Sequence, residues 1–347
     1  MPFLLPKICE FKEVTMKAIC VDLHQDVESA SYQEMDMGIP QCESTDVLVK
    51  IDAVAINPVD TKLYQAAVNQ QLTDRVLGHD AVGVVIEVGS EVKDFNAGDR
   101  VFYAGDMTRP GSFAEYQLVD SDLLAKAPSS FSTAQIAAFP LVSITAAEAI
   151  FEKLGVSSEA IDNQDKSILI IGGSGGVGSI AIQLCKLAGL NVIASASRVE
   201  TIDWCSALGA DKVVNHHQPI REQLDSEVDY ILCAADTDSH LNNMAESIKP
   251  FGGICALVSV ANPVDMNLFK NKSVSFHWEF MFTRSLYKTS DKYLQGNTLE
   301  RIANCIDNGN LKPIDSLVLQ GLNAENISTA HESAASGNMR GKCVIVF

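Results

Sequence analysis

Ser167-Ile168-Leu169-Ile170-Ile171-Gly172-Gly173-Ser174-Gly175-Gly176-Val177-Gly178 runs straight into Ile180-Ala181-Ile182-Gln183-Leu184-Cys185. A short apolar run of strand type ends in a glycine cluster, and the cluster opens an amphipathic helix. Gly173, Gly175 and Gly178 satisfy G-x-G-x-x-G in the strand–turn–helix context that gives the pattern meaning. The first glycine permits a tight turn, the second lets a pyrophosphate approach the backbone, and the third lets the helix lie close on the strand. Phosphate then meets free N–H groups at the positive end of the helix dipole, which makes Gly173, Ser174, Gly175, Gly176 and Val177 the cofactor-binding candidates. A glycine-rich turn can also serve only as a connection. The strand–helix units that follow favour a dinucleotide-binding fold.

Asn191-Val192-Ile193-Ala194-Ser195-Ala196-Ser197 reads as the second strand. A site for NAD carries Asp or Glu at the end of that strand, about 20 residues past the glycines, to hold the ribose 2′-hydroxyl. Here Ser195, Ser197 and Arg198 stand there, and no carboxylate occurs until Glu200. Two hydroxyls and a guanidinium suit a 2′-phosphate, which an acid would repel, so NADPH is the expected cofactor. The competing reading is that Arg198 caps a solvated loop.

The chain of 347 residues is long enough for two domains, and its apolar and charged fractions are those of a soluble globular protein. No apolar run approaches the length of a membrane span, and residues 1–15 are too short and acid-containing for a secretory signal. Met16-Lys17-Ala18-Ile19-Cys20-Val21 reads as the first strand, leaving residues 1–15 as an N-terminal extension. A net charge of −18 argues against nucleic acid or an anionic membrane as partner. Nine scattered cysteines, most of them in apolar runs, read as reduced core thiols of a cytoplasmic protein.

Residues 16–120 are strand-rich: Asp46–Ile56, Ala81–Gly89, Asp99–Ala104 and Ser112–Val119 lie between Gly, Asp and Pro breaks. From about Ile144 the texture changes. Thr145–Leu154 is helix-like, and strand–helix alternation continues through Lys212–Val214, Val228–Cys233 and Ile254–Ser259, which implies a doubly wound parallel sheet. Ser273–Phe280 is expected at the sheet edge, Asp291–Asn308 as a helix, and Lys342–Phe347 as a last strand.

Gly78-His79-Asp80 followed by Gly83, Gly89 and Val92 resembles the G-H-E-x(2)-G-x(5)-G-x(2)-V signature of the medium-chain dehydrogenase/reductase superfamily, with Asp80 in place of Glu. Gly98-Asp99-Arg100-Val101, Gly111-Ser112-Phe113-Ala114-Glu115-Tyr116, Leu208-Gly209-Ala210-Asp211 and Gly341-Lys342-Cys343-Val344 resemble further landmarks in that superfamily's order. The resemblance covers residues 16–347 and is closest to the quinone oxidoreductase (zeta-crystallin) branch. His277-Trp278-Glu279-Phe280-Met281-Phe282-Thr283-Arg284-Ser285 is similar to the zinc-type alcohol dehydrogenase-like proteins beside it. The resemblance implies an α/β protein: a GroES-like β-rich catalytic domain (16–140 and 281–347) and a Rossmann domain (141–280), with the active site in the cleft between them.

The departures bear on the chemistry. Metal-dependent members hold zinc through Cys, His and Cys. His79 stands at the histidine position, but the cysteine positions fall on Asn57 and near Leu141, and neither can replace a thiolate. The four-cysteine lobe is also missing, since 101–111 contains no cysteine. No metal is expected. His79 then reads as a hydrogen-bonded structural residue, or with Asp80 as a pair that orders water.

Without a Lewis acid, oxidation of a simple alcohol is hard to support, whereas quinones and α,β-unsaturated carbonyls leave a delocalised anion that a few donors can stabilise. The resemblance therefore implies an NADPH-dependent quinone or enone oxidoreductase. By the family's N-x-x-D motif, Asn57 is the oxygen-facing donor, with Asp60 as loop brace or turn cap. Lys62 or Tyr64 could add a donor, and Tyr64 is carried as the third catalytic candidate. Thr145 matches the threonine beside the nicotinamide, and otherwise simply begins a helix. His216 falls near the adenosine phosphate of relatives, and otherwise is a loop histidine. Val258 and Ser259 end a strand at the ligand-collecting edge. Arg340 and Lys342 read as a solvated tail more readily than as phosphate contacts, and Phe280 and Phe282 as packing, dimer or cleft-wall residues. A homodimer joined at the Rossmann edge strand is expected. A zinc-dependent alcohol or aldehyde dehydrogenase, or a non-catalytic NADPH-binding protein, are the alternatives, separable by metal analysis and by turnover across varied acceptors.

Overall fold

The computed structural model describes residues 15–23 and 30–347. The expected extension at 1–15 lies outside these residues except for Thr15, which opens the strand Thr15–Asp22.

Six strands form one wholly parallel sheet in the order Lys212–Val214, Asn191–Ser195, Ser167–Ile171, Val228–Cys233, Ile248–Ala256, Ser275–Trp278. Ser167–Ile171 is buried at every position, as a strand covered by helices on both faces requires. The chain leaves this central strand on one side and later returns on the other. The crevice at its carboxyl end is therefore the topological switch point, where ligands collect. The expected edge strand is at the edge, trimmed to Ser275–Trp278.

The remaining strands precede residue 127 or follow residue 314. Seven of them form a second sheet in which Lys342–Val346 pairs with Asp46–Ala55, and Asp46–Ala55 with Asp80–Val88, both antiparallel. Thr15–Asp22, Ser31–Gly38 and Arg75–Val76 make a third. This is the expected α/β class, a β-rich part joined to a doubly wound sheet.

Register decides what happens at one end of the second sheet. Ala55 lies opposite both Val344 and Asp80. Two residues beyond Ala55 the chain reaches Asn57, and two before Val344 it reaches Lys342, so antiparallel pairing brings Lys342, Asn57 and Asp80 to one corner.

Several boundaries differ from the sequence reading. The helix expected at Thr145–Leu154 begins at Pro140, whose fixed φ suits a first helical turn, and passes after Ala147 into a wider turn, Glu148–Lys153. Thr145 is thus inside a helix and does not begin one. The strand expected at Ile254–Ser259 spans Ile248–Ala256, so Val258 and Ser259 lie in the loop beyond it. The strand expected at Ser112–Val119 begins only at Tyr116.

Candidate active site between the glycine turn and the last strand

The glycine turn is shaped by close approach. Gly172 has φ +84, in the left-handed region where a side chain is strained. A Cβ on Gly178 would lie 2.2 Å from the Gly172 carbonyl oxygen, and one on Gly173 2.8 Å from the Ala194 Cβ. These two glycines press helix Gly176–Leu187 and the turn against the sheet. Gly175 is different: nothing stands within 3.6 Å of its Cβ position, which leaves the backbone open to a ligand. Gly175 is also the N-cap and contributes no side-chain cap, so the first-turn N–H groups keep their positive end unneutralised. Ser195 holds the turn from behind: its Oγ accepts the Gly172 N–H at 3.0 Å. Its hydroxyl serves the turn, and the residue also borders the cavity described below.

At the corner of the second sheet a polar network is sealed inside the protein. Asn57 precedes helix Pro58–Asn69, and its N–H donates to Asp60 Oδ2 at 2.7 Å. The other Asp60 oxygen accepts from His79 Nδ1 at 2.6 Å, which places the ring proton on Nδ1. Asp60 thus braces the loop and orients the histidine, and the partner of His79 is Asp60 where the sequence reading offered Asp80. Asp80 is occupied otherwise. It accepts from the Leu141 N–H at 2.6 Å, from Asn57 Nδ2 at 2.9 Å and from Lys342 Nζ at 2.8 Å. Lys342 Nζ also donates to Asn57 Oδ1. Lys342 is only 1% exposed, and Asn57, Asp60, His79 and Asp80 are buried with it. A lysine read from sequence as a solvated tail is therefore an interior cation, compensated by Asp80 as burial demands. Phe282 covers the His79 ring at 4.7 Å between centroids.

The glycine turn and this network face the same space. A cavity of about 360 Å³ is bordered by Asn57, Leu141, Gly175, His216, Gly337 and Lys342 among others. Of the sequence candidates, Asn57, Ser174, Gly175, Gly176, Val177 and His216 line it. Asp60 is one hydrogen bond behind Asn57, and Gly173 backs the turn. Burial and the neighbouring His217 push the His216 pKa down, so that ring is neutral at pH 7. The open Gly175 backbone and the uncapped helix bordering the cavity fit a dinucleotide with its pyrophosphate on the turn.

Other candidates lie elsewhere. Thr145 Oγ1 donates to the Leu141 carbonyl at 2.8 Å, one turn back along its own helix. Tyr64 packs its ring on Tyr32 and His331, each 4.9 Å away, and does not line the cavity. Val258 accepts through its carbonyl from Thr237 Oγ1 at 2.6 Å, and Ser259 is exposed. Arg198 reaches across to Asn338. Phe280 stacks edge-on against Phe282 at 5.6 Å and is partly exposed. Among the described residues no three His, Cys, Asp or Glu side chains come together as a metal cluster. Sequence reasoning missed the burial of Lys342. The available signal was a lysine leading directly into the apolar run Cys343–Val346.

Known proteins bear on this site. The alcohol dehydrogenase GroES-like domain matches residues 43–129, and the zinc-binding dehydrogenase domain residues 208–345. A zinc-type alcohol dehydrogenase-like protein of Staphylococcus aureus (strain COL) is 44% identical over 88% of this chain and 92% of its own. An NADPH-dependent alkenal/one oxidoreductase of Arabidopsis thaliana chloroplasts is 31% identical over 81% of this chain and 67% of its own. A protein of Rhizobium etli CFN 42, provisionally named a zinc-dependent alcohol dehydrogenase, has a crystal structure that superposes with TM-score 0.90 at 37% identity, covering 96% of this chain and 98% of that one.

Proposed function

This chain belongs to the medium-chain dehydrogenase/reductase superfamily, and from that premise we propose that it is an NADPH-dependent oxidoreductase that reduces quinones or α,β-unsaturated carbonyls without a catalytic metal. The observation that carries the proposal is the shared cavity, lined by both the open glycine turn and the Lys342–Asn57 pair.

A nicotinamide dinucleotide bound there supplies the hydride. The chain's own task is to bind, orient and stabilise charge. N–H groups at the start of helix Gly176–Leu187 cradle phosphate. Lys342 has three N–H donors, two of them engaged by Asn57 and Asp80, and the Asn57 carboxamide has two, one of them engaged by Asp80. Each keeps one for an oxygen that becomes an enolate or hydroquinone anion. The Asp60–His79 bond and the Asp60–Asn57 bond fix the loop that presents the carboxamide. At the positions where metal-dependent relatives place thiolates, this chain has that carboxamide and the Leu141 alkyl group, a donor set unsuited to Zn²⁺. The Arabidopsis relative, named an alkenal/one oxidoreductase, supports the same substrate class.

The proposal includes a homodimer joined along the free edge strand Ser275–Trp278, supported by the exposed apolar surface of Trp278 and Phe280. It also includes a cytoplasmic setting, supported by eight cysteines without disulfide partners among the described residues. No helix among the described residues is long and apolar enough to cross a membrane.

The test is steady-state oxidation of NADPH and NADH with an ortho-quinone, a para-quinone and a simple enone, with and without chelator. Chelator-resistant turnover favouring NADPH is expected. Chelator-sensitive turnover, or activity confined to alcohols, would overturn the metal-free reading, and tight NADPH binding without turnover would make the chain a binding protein.

A further inference from the structure

Arg198 is held in place by a residue 140 positions away in the sequence. Its Nη1 donates to Asn338 Oδ1 at 3.0 Å and its Nη2 to the Asn338 carbonyl at 2.8 Å, while Nε pairs with Glu200 Oε1 at 2.9 Å. Three of the five guanidinium N–H groups are thereby used, and one remains on each terminal nitrogen. The neighbours of this contact border the cofactor cavity: Ser195 on one side, Gly337 and Met339 on the other.

Asn338 belongs to a short strap across the sheet end. Gly337 at φ +67 and Gly341 at φ +59 bend it at either end. Gly341 N–H donates to the Ser174 carbonyl at 2.9 Å, inside the glycine turn, and Arg340 lies over the Trp204 ring at 4.7 Å. Lys342 follows directly and enters the buried network.

We propose that Asn338 is a positioning residue for cofactor choice: it orients the Arg198 guanidinium so that its two remaining N–H groups meet a ribose 2′-phosphate. The inference rests on the NADPH reading above. Both Asn338 acceptors are neutral oxygens. They steer the guanidinium without neutralising it, and the charge stays available to a phosphate. Glu200 opposes binding, but it is well exposed and its pairing with Nε is screened by solvent. An aspartate at 338 would differ in kind, since a carboxylate in the same place would neutralise the guanidinium charge that the phosphate needs.

The experiment is direct binding of NADPH and NADH to the full-length protein, followed by cofactor fluorescence, for the wild type, Asn338→Ala, Asn338→Asp, Arg198→Ala and Arg198→Ala/Asn338→Asp. Asn338→Ala should weaken NADPH binding several-fold and Asn338→Asp by at least tenfold, with NADH binding unchanged in both. With Arg198 already replaced, Asn338→Asp should have no further effect on NADPH, because coupled residues are non-additive. Parallel loss of both cofactors would show a strap that is only structural and would overturn the proposal, as would an unchanged NADPH:NADH ratio in Asn338→Asp. A wild type that does not distinguish the cofactors would overturn the 2′-phosphate reading, and the proposal with it.

Discussion

The Lys342 ammonium donates to the Asn57 carboxamide oxygen across 285 residues of chain, and the Asp80 carboxylate accepts from both residues. This contact ties the last strand to the loop before helix Pro58–Asn69. It sets a buried cation beside the glycine turn, where a Cβ on Gly176 would stand 3.0 Å from the Lys342 Cδ.

If Asn57 stabilises an oxyanion, Asn57→Ala should lower kcat with an enone by roughly 10²–10³, the usual effect of losing one such donor. NADPH affinity, measured separately by fluorescence, should change little. An equal fall in affinity would assign Asn57 to cofactor binding.

Removing either charge of the buried pair leaves the other uncompensated. Lys342→Met and Asp80→Asn should each be destabilised in urea unfolding. Lys342→Met strands a carboxylate and should cost about 3–5 kcal/mol, whereas Lys342→Met with Asp80→Asn should recover much of that loss. Additive losses would mean the pair is not coupled.

The glycines of the turn should separate into two classes. Gly178→Ala places a Cβ 2.2 Å from the Gly172 oxygen and should unfold or strongly destabilise the protein. Gly175→Ala has open space and an ordinary φ of −72, so it should melt like the wild type yet bind cofactor more than tenfold more weakly, because the methyl stands where the phosphate approaches. Comparing melting curves with cofactor titrations checks both.

Stability should fall as pH rises, from one buried pair of carboxyl groups. Burial and the neighbouring Glu279 push the Glu148 pKa up from 4.5 to about 9, against the pull of Arg284 at 2.5 Å, and Glu279 is raised as well. Between those values the folded state holds a proton that the unfolded chain has released. The stabilisation is complete below pH 4.5 and is lost as pH climbs toward 9. Glu148→Gln should therefore flatten the fall in melting temperature over that window. An unchanged slope would place the titration elsewhere.

The glycine turn was legible because its physics is local: every requirement of tight turn, open backbone and close helix falls within a dozen residues. The zinc-position departures at Asn57 and Leu141 were legible as residue types. Other features were not. Thr145 carried a family expectation, yet its hydroxyl is used within its own helix. Tyr64 packs into a ring cluster with Tyr32 and His331, partners from distant parts of the chain that its helix position alone does not reveal. His79 is the hydrogen-bonded structural residue expected, but its carboxylate is Asp60 and not the sequence neighbour Asp80 offered as the second reading, because the loop before helix Pro58–Asn69 folds against the start of strand Asp80–Val88.

By itself the sequence determined the class of fold, the family and the glycine turn between strand and helix, because these depend on short-range periodicity and on backbone freedom at glycine. Only the tertiary structure decided which charged groups would be interior. Lys342, Asp80 and Asn57 meet through the register of three strands drawn from opposite ends of the chain. Arg198 finds Asn338 only after the strap is laid over the sheet. Pairing of that kind is set by which strands are neighbours, and a local pattern of residues does not encode it.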